Sequence, residues 1–272
     1  MTARGVMSKI GIIAGSGSMP LEFIKAAKKR DETVVVFALK DMASPELEQA
    51  GDKIYWMELG QIAKFGFLFM KERIRHVALL GKVEKKLIYE NNDQDSTYKD
   101  GLKKLSNKKD YSILNAITNG LAKVGVEVID TSKYLCDLYP GEGVLTNTPS
   151  DEDLDKNVGF GTPIARKLAD MDIGQTIIVK NEAVVAVESM ECTDATIDRA
   201  GELAGDGCVM IKMSRPDQDM RWDVPAVGPE TMKKLIDNKF RALVLDSGKL
   251  YLIEQERLLA MADEAGITVI GV

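Results

Sequence analysis

Histidine is almost missing: the 272 residues hold one, His76. Binuclear metallophosphoesterases and histidine-based zinc hydrolases need several, and a Ser-His-Asp hydrolase pairs one with a nucleophile motif such as G-x-S-x-G; none of these fits. At the head of the run HVALLG, His76 reads as a strand-edge residue. Three cysteines, Cys136, Cys192 and Cys208, are too few and too dispersed for a disulfide framework or a four-ligand zinc site, which points to a reducing cytoplasm. No segment approaches the roughly 20 apolar residues of a membrane span, and MTARGVMSKIGIIAG carries only a short apolar stretch before glycine, so the reading is of a chain neither secreted nor inserted. There is no basic excess either. With 36 basic against 42 acidic residues and a net charge of -6, nonspecific attraction to nucleic acid or anionic lipid is not a dominant force, and phosphate binding must be local.

What is present is a regular alternation. KIGIIAG, TVVVFAL, KIYWM and HVALLG are short, β-branched runs separated by amphipathic segments that start near Pro20 and Gln61, the pattern of a mainly parallel, Rossmann-like sheet. Lys82 to Asp110 is a highly charged excursion, followed by a helix near Tyr111 to Lys123 and a strand VEVID. Between Tyr139 and Val158, Pro, Gly, Asn and Asp suit a crossing between domains. Beyond it the pattern changes: a hairpin TIIVKNEAVVAVES turning at Asn181-Glu182, a helix over Ala195 to Ala204, the strand CVMIKM, a helix over Pro229 to Lys239, the strands ALVLDS and KLYLI, a helix over Glu254 to Ala265, and ITVIGV. The predicted class is α/β, with a Rossmann-like N-terminal domain over 1–140 and a second α/β domain with a mixed sheet over 141–272.

Several segments could carry chemistry. GIIAGSGSMP runs a strand into the turn Gly15-Ser16-Gly17-Ser18 and a helix opened by Pro20, which offers backbone N–H groups to an anion or makes a plain tight turn. It lacks the last glycine of the dinucleotide fingerprint and a convincing acid after TVVVFAL, so a nicotinamide oxidoreductase stays a rival, as does a non-catalytic nucleotide-binding regulator. Gly81 and Lys82 leave a strand at its carboxyl end, where Lys82 could meet a phosphate or simply be solvated. Around Phe65, Phe67, Leu68, Phe69 and Met70 a helix is apolar on more than one face; it suits core packing, an acyl-chain groove or contact with a membrane surface. Asp172, Gly174 and Gln175 form a polar turn. Glu188, Glu191, Thr193 and Asp194 lie between strand and helix, where Thr193 or Asp194 would serve as N-cap or touch substrate. From Lys212 to Thr231, the cations Lys212, Arg215 and Arg221 interleave with Asp217, Asp219 and Asp223. Cations for phosphate oxygens and carboxylates for Mg²⁺ or water are what pyrophosphate cleavage requires, and a solvated loop also shows that alternation.

Taken together, IAGSGSMP, LLGKV, MDIGQTIIV, AVVAVESMECTDATIDRAG, DMRWDVPAVGPET and ITVIGV resemble the LpxI-type UDP-2,3-diacylglucosamine pyrophosphatases, in order and across both halves. The resemblance implies Mg²⁺-dependent hydrolysis of UDP-2,3-diacylglucosamine to UMP and 2,3-diacylglucosamine 1-phosphate in lipid A synthesis, with the ligand between two domains. It makes Asp223 of Arg221-Trp222-Asp223-Val224-Pro225 the essential acid. On this reading Gly15, Ser16, Gly17, Gly81, Lys82, Gln175, Glu188, Thr193, Asp194, Lys212, Arg215 and Arg221 are substrate-binding candidates, and Asp223 with Asp219 the ligands for Mg²⁺ or Mn²⁺. The expected partner is the lipid-linked nucleotide sugar, with no nucleic acid; peripheral contact with the inner face of the inner membrane and a homo-oligomer both fit. Two departures stand out: Cys192 replaces the glycine of E-G-T-D, and Ser214-Arg215-Pro216-Asp217-Gln218-Asp219 replaces K-P-x-Q-D, which makes Arg215 the candidate substitute cation.

Overall fold

A computed structural model describes residues 8–83, 110–221 and 224–272, side chains at 110–113, 115 and 116 excepted. Two units emerge. The first holds the described residues as far as Leu135 together with Met220 and Arg221; the second holds Cys136–Asp219 and the described residues from Val224 on.

In the first unit, β1 (Lys9–Ala14), β2 (Thr33–Leu39), β3 (Lys53–Met57), β4 (His76–Leu80) and β5 (Glu127–Val128) form one parallel sheet in the order β3-β2-β1-β4-β5. That is the Rossmann-like strand order. The β-branched run of β2 is buried along almost its whole length because it lies inside the sheet. Helices α1 (Met19–Lys28), α2 (Leu47–Ala50), α3 (Ile62–Glu72) and α4 (Asp110–Lys123) connect the strands. Phe65, Leu68 and Phe69 of α3 pack on Phe37 and Val77, so three of the five apolar residues singled out in this helix are core. Phe67 and Met70 are not, at 59% and 70% exposure.

The second unit has a six-stranded mixed sheet, β6-β13-β11-β9-β7-β8, made of β6 (Gly143–Val144), β7 (Thr176–Lys180), β8 (Ala183–Val187), β9 (Val209–Lys212), β11 (Ala242–Leu245) and β13 (Thr268–Gly271). β10 (Ala226–Val227) and β12 (Tyr251–Leu252) pair separately. The hairpin β7–β8 turns at Asn181 and Glu182, both with positive φ, as its two-residue loop demands. One sheet face packs Ile178, Met210, Leu243 and Leu245 against helices α6 (Cys192–Ala204), α7 (Pro229–Asp237) and α8 (Gln255–Ala265). The other packs Ile177, Ile211 and Val244 against α5 (Glu152–Asp170).

Helix α5 corrects the sequence reading, which took residues up to Val158 as a crossing. Asp151 caps it by accepting from the Leu154 amide at 2.8 Å. Its apparent breakers belong to it: Pro163 lies inside the helix, and a Cβ on Gly161 would stand 2.4 Å from Ile211 Cδ1, so the helix approaches the sheet more closely than a side chain allows.

Candidate active site

The register of the second sheet sets the site. Thr176 aligns with Lys212, and the Glu188 amide donates to the Thr176 carbonyl at 2.8 Å, so Glu188, Thr176 and Lys212 stand side by side across β8, β7 and β9. They continue the rows of Ala186, Ile178 and Met210 and therefore share the face covered by α6. An apolar face thus ends, at the carboxyl end of β9, in three polar side chains, the end at which open α/β sheets bind ligands.

There Lys212, with 8% of its side chain exposed, donates to Thr176 Oγ1 at 3.1 Å and to Thr193 Oγ1 at 3.0 Å, and its ammonium lies 3.7 Å from Glu188 Oε2. Thr193 in turn donates to Glu188 Oε1 at 2.6 Å. Burying an ammonium costs several kcal/mol unless neighbours replace its water, and here two hydroxyls and a carboxylate do so. Glu188 Oε2 and Gln175 Oε1 are buried acceptors with no hydrogen-bond partner among the described residues. They suit a hydroxyl, an N–H or a hard cation.

Thr193 lies inside the first turn of α6, whose N-cap is Glu191 with no side-chain cap; its hydroxyl is spent on Lys212 and Glu188 instead of capping. Asp194, in that first turn, is exposed. Gln175 follows Gly174, where a Cβ would meet the Glu188 carbonyl at 2.0 Å, and the Gln175 carbonyl accepts from Met213. Arg215 is held by Asp172 at 2.7 Å, which ties the polar turn before β7 to the loop after β9. Arg221 and Asp219 are half-buried and Asp217 is exposed; Asp223 lies outside the described residues. Among the described residues no group of three or more His, Cys, Asp or Glu side chains is placed to hold a metal ion.

Sequence reasoning did not single out Thr176, Asp246 or Arg166. Asp246, 2% exposed, ends β11 on the α5 face, where it accepts from the Ser214 amide at 3.1 Å and lies 3.3 Å from Arg166. Thr176 is an ordinary strand residue until the register of β7 on β9 is known; Arg166 belongs to the helix the sequence reading did not contain.

In the first unit the structure brings two predicted segments together. Ser16 and Lys82 exchange backbone bonds at 2.9 Å each, and Gly15 donates to the Leu80 carbonyl at 2.8 Å. The amides of Gly15 and Ser16 are therefore engaged within the fold, while Gly17 is exposed with φ 96°. A Cβ on Gly15 would stand 2.4 Å from the Lys82 carbonyl, and one on Gly81 2.6 Å from the Ser16 carbonyl, so both glycines serve close backbone approach. Lys82 itself is exposed. His76 opens β4 at the sheet's amino end, 3.7 Å from Glu127 Oε2.

A Rossmann-like unit followed by a mixed-sheet unit, with Lys212, Thr176 and Glu188 gathered at the carboxyl end of β9, defines a two-unit α/β protein. The chain belongs to the LpxI family: the LpxI N-terminal domain matches residues 9–138 and the LpxI C-terminal domain residues 141–270. It is 28% identical, over 98% of each chain, to the UDP-2,3-diacylglucosamine pyrophosphatase LpxI of Caulobacter vibrioides. Among solved structures, the Bordetella bronchiseptica enzyme WbmG in complex with NAD is 16% identical with a TM-score of 0.30, over 46% of this chain and 37% of that one. The biotin carboxylase domain of Hydrogenobacter thermophilus 2-oxoglutarate carboxylase is 11% identical with a TM-score of 0.29, over 96% of this chain and 59% of that one. Both lie below the similarity at which a shared fold or function follows.

Proposed function

We propose that this protein hydrolyses the pyrophosphate of UDP-2,3-diacylglucosamine, giving UMP and 2,3-diacylglucosamine 1-phosphate in lipid A synthesis. The observation that carries this is the family match across both units, and the row Glu188–Thr176–Lys212 supplies chemistry that suits such a substrate. Water adds across the P–O–P bridge, with hydroxyl going to one phosphorus and a proton to the bridging oxygen that leaves on the other. Lys212, oriented by Thr176 and Thr193, and Arg215, braced by Asp172, set positive charge toward the pyrophosphate oxygens. Glu188 Oε2 and Gln175 Oε1 accept from hydroxyl or N–H groups of the sugar or base.

Mg²⁺, or Mn²⁺, is the proposed cofactor, with Asp223 and Asp219 as its ligands. Hard oxygen donors fit such an ion, and Mg²⁺ sites commonly use one or two carboxylates plus substrate phosphates, so the lack of a larger carboxylate group among the described residues is compatible with it. When bound, the ion neutralises charge on the phosphate oxygens. Asp223 then orients the attacking water or holds the ion.

Asp223→Ala tests the assignment. Turnover falls on the order of 10² or more while substrate still binds, because the lost interaction belongs to the transition state. Asp217→Ala, at an exposed position, is milder. Near wild-type turnover in Asp223→Ala at saturating Mg²⁺ would remove Asp223 from the catalytic machinery.

A further inference from the structure

On α3 the positions split cleanly by helical angle. Phe65, Leu68, Phe69 and Glu72 are buried on one side, and Met70, Ala63, Phe67, Lys71 and Lys64 form a continuous exposed arc on the other. Two large apolar side chains, Phe67 and Met70, project from that arc at 59% and 70% exposure. Lys64 and Lys71 flank them, and Arg73 and Arg75, both exposed, follow the helix on either side of the buried Ile74. None of these four cations forms an ion pair among the described residues, and no exposed acid lies between Gln61 and Arg75, because Glu72 is drawn inward to Lys9, Lys53 and Tyr55. This cation-rimmed apolar arc stands on a chain whose net charge is -6.

We propose that this arc of α3 docks the protein on an anionic phospholipid surface, with Phe67 and Met70 entering the boundary between headgroups and acyl chains and Lys64, Lys71, Arg73 and Arg75 meeting the phosphates. An interfacial helix needs a cationic rim around an apolar stripe, which is what the arc presents. A symmetric contact with a second copy would set the four cations against their own kind, so charge favours the bilayer over self-association. The inference rests on the proposed reading in one respect: a diacylated substrate resides in a bilayer, which gives such docking its use. Two apolar residues bind weakly, so attachment depends on anionic lipid and is reversed by salt.

Flotation with vesicles of phosphatidylethanolamine and phosphatidylglycerol, against phosphatidylcholine alone and without substrate, is the test. Wild-type protein floats with the anionic vesicles and is released by salt. Phe67→Ser with Met70→Ser lowers binding about tenfold, and Lys64→Glu with Lys71→Glu lowers it by at least about fivefold for each cation removed. All these positions are exposed, so melting temperature and hydrolysis of detergent-dispersed substrate are expected to stay at wild-type values. Wild-type protein that stays with the unbound fraction, or variants that float equally well, would overturn the proposal. So would a wild-type dimer that the Phe67/Met70 variant dissociates, since a second copy would then cover the arc. If flotation fails while detergent-dispersed substrate is hydrolysed, the docking falls and the pyrophosphatase reading stands; if flotation holds without hydrolysis, the reverse is true.

Discussion

Cys192 has a left-handed backbone, φ 71°, at the position where the resemblance to the LpxI-type enzymes implies glycine. The structure keeps the glycine-like conformation and places it one residue before Thr193, which holds Lys212 and Glu188 together. A non-glycine residue in this region costs on the order of 1–2 kcal/mol, partly offset because glycine makes the unfolded chain more flexible. Cys192→Gly is therefore expected to stabilise by about 0.5 kcal/mol and raise Tm by about 1–2 °C, with Cys192→Ala giving no such gain. A lower Tm for the glycine variant in thermal denaturation would contradict this. Individual residues were legible in the sequence by type, not by partner. Lys212, Glu188 and Thr193 stood out as charged or polar at strand ends, but Thr176 did not, because what makes it a site residue is the alignment of β7 with β9.

Among elements, the strands could be read from their β-branched runs and the hairpin from Asn181-Glu182. Helix α5 could not, since Gly159, Gly161 and Pro163 disfavour a helix by local propensity, and the close approach to Ile211 accounts for the glycine at 161. Helix α3 was legible as a helix but not in its partition between core and surface, which depends on where Phe37 and Val77 lie. Its last residue, Glu72, fastens it to the sheet. Lys53 donates to Glu72 Oε1 at 2.5 Å, Tyr55 to the same oxygen at 2.6 Å and Lys9 to Oε2 at 3.2 Å. The bonds from Lys53, then Tyr55, outweigh burial and hold the carboxyl down at about 2. A carboxyl depressed in the folded state contributes stability that is present above its unfolded pKa of roughly 4.3 and lost as pH falls through the folded value. Acid titration of stability is thus expected to show a loss between pH values of about 4.5 and 2 that Glu72→Gln diminishes, with the variant less stable at neutral pH by about 1–3 kcal/mol. Identical acid profiles for the two proteins would refute the fastening role.

At the scale of the whole molecule, the described residues hold no helix long and apolar enough to cross a membrane. The α/β class was legible from alternation alone, with a parallel sheet in the first unit and a mixed sheet in the second. The substrate was not. Nothing in charge or spacing names a diacylated uridine nucleotide, and that reading came from the resemblance, which the family matches over residues 9–138 and 141–270 now support. The most direct measurement is to incubate the purified protein with UDP-2,3-diacylglucosamine and Mg²⁺ and identify the products by mass spectrometry, with a parallel sample in excess EDTA. The account predicts UMP and 2,3-diacylglucosamine 1-phosphate in the first sample and unchanged substrate in the second. Intact substrate in the presence of Mg²⁺, or release of UDP in place of UMP, would contradict it.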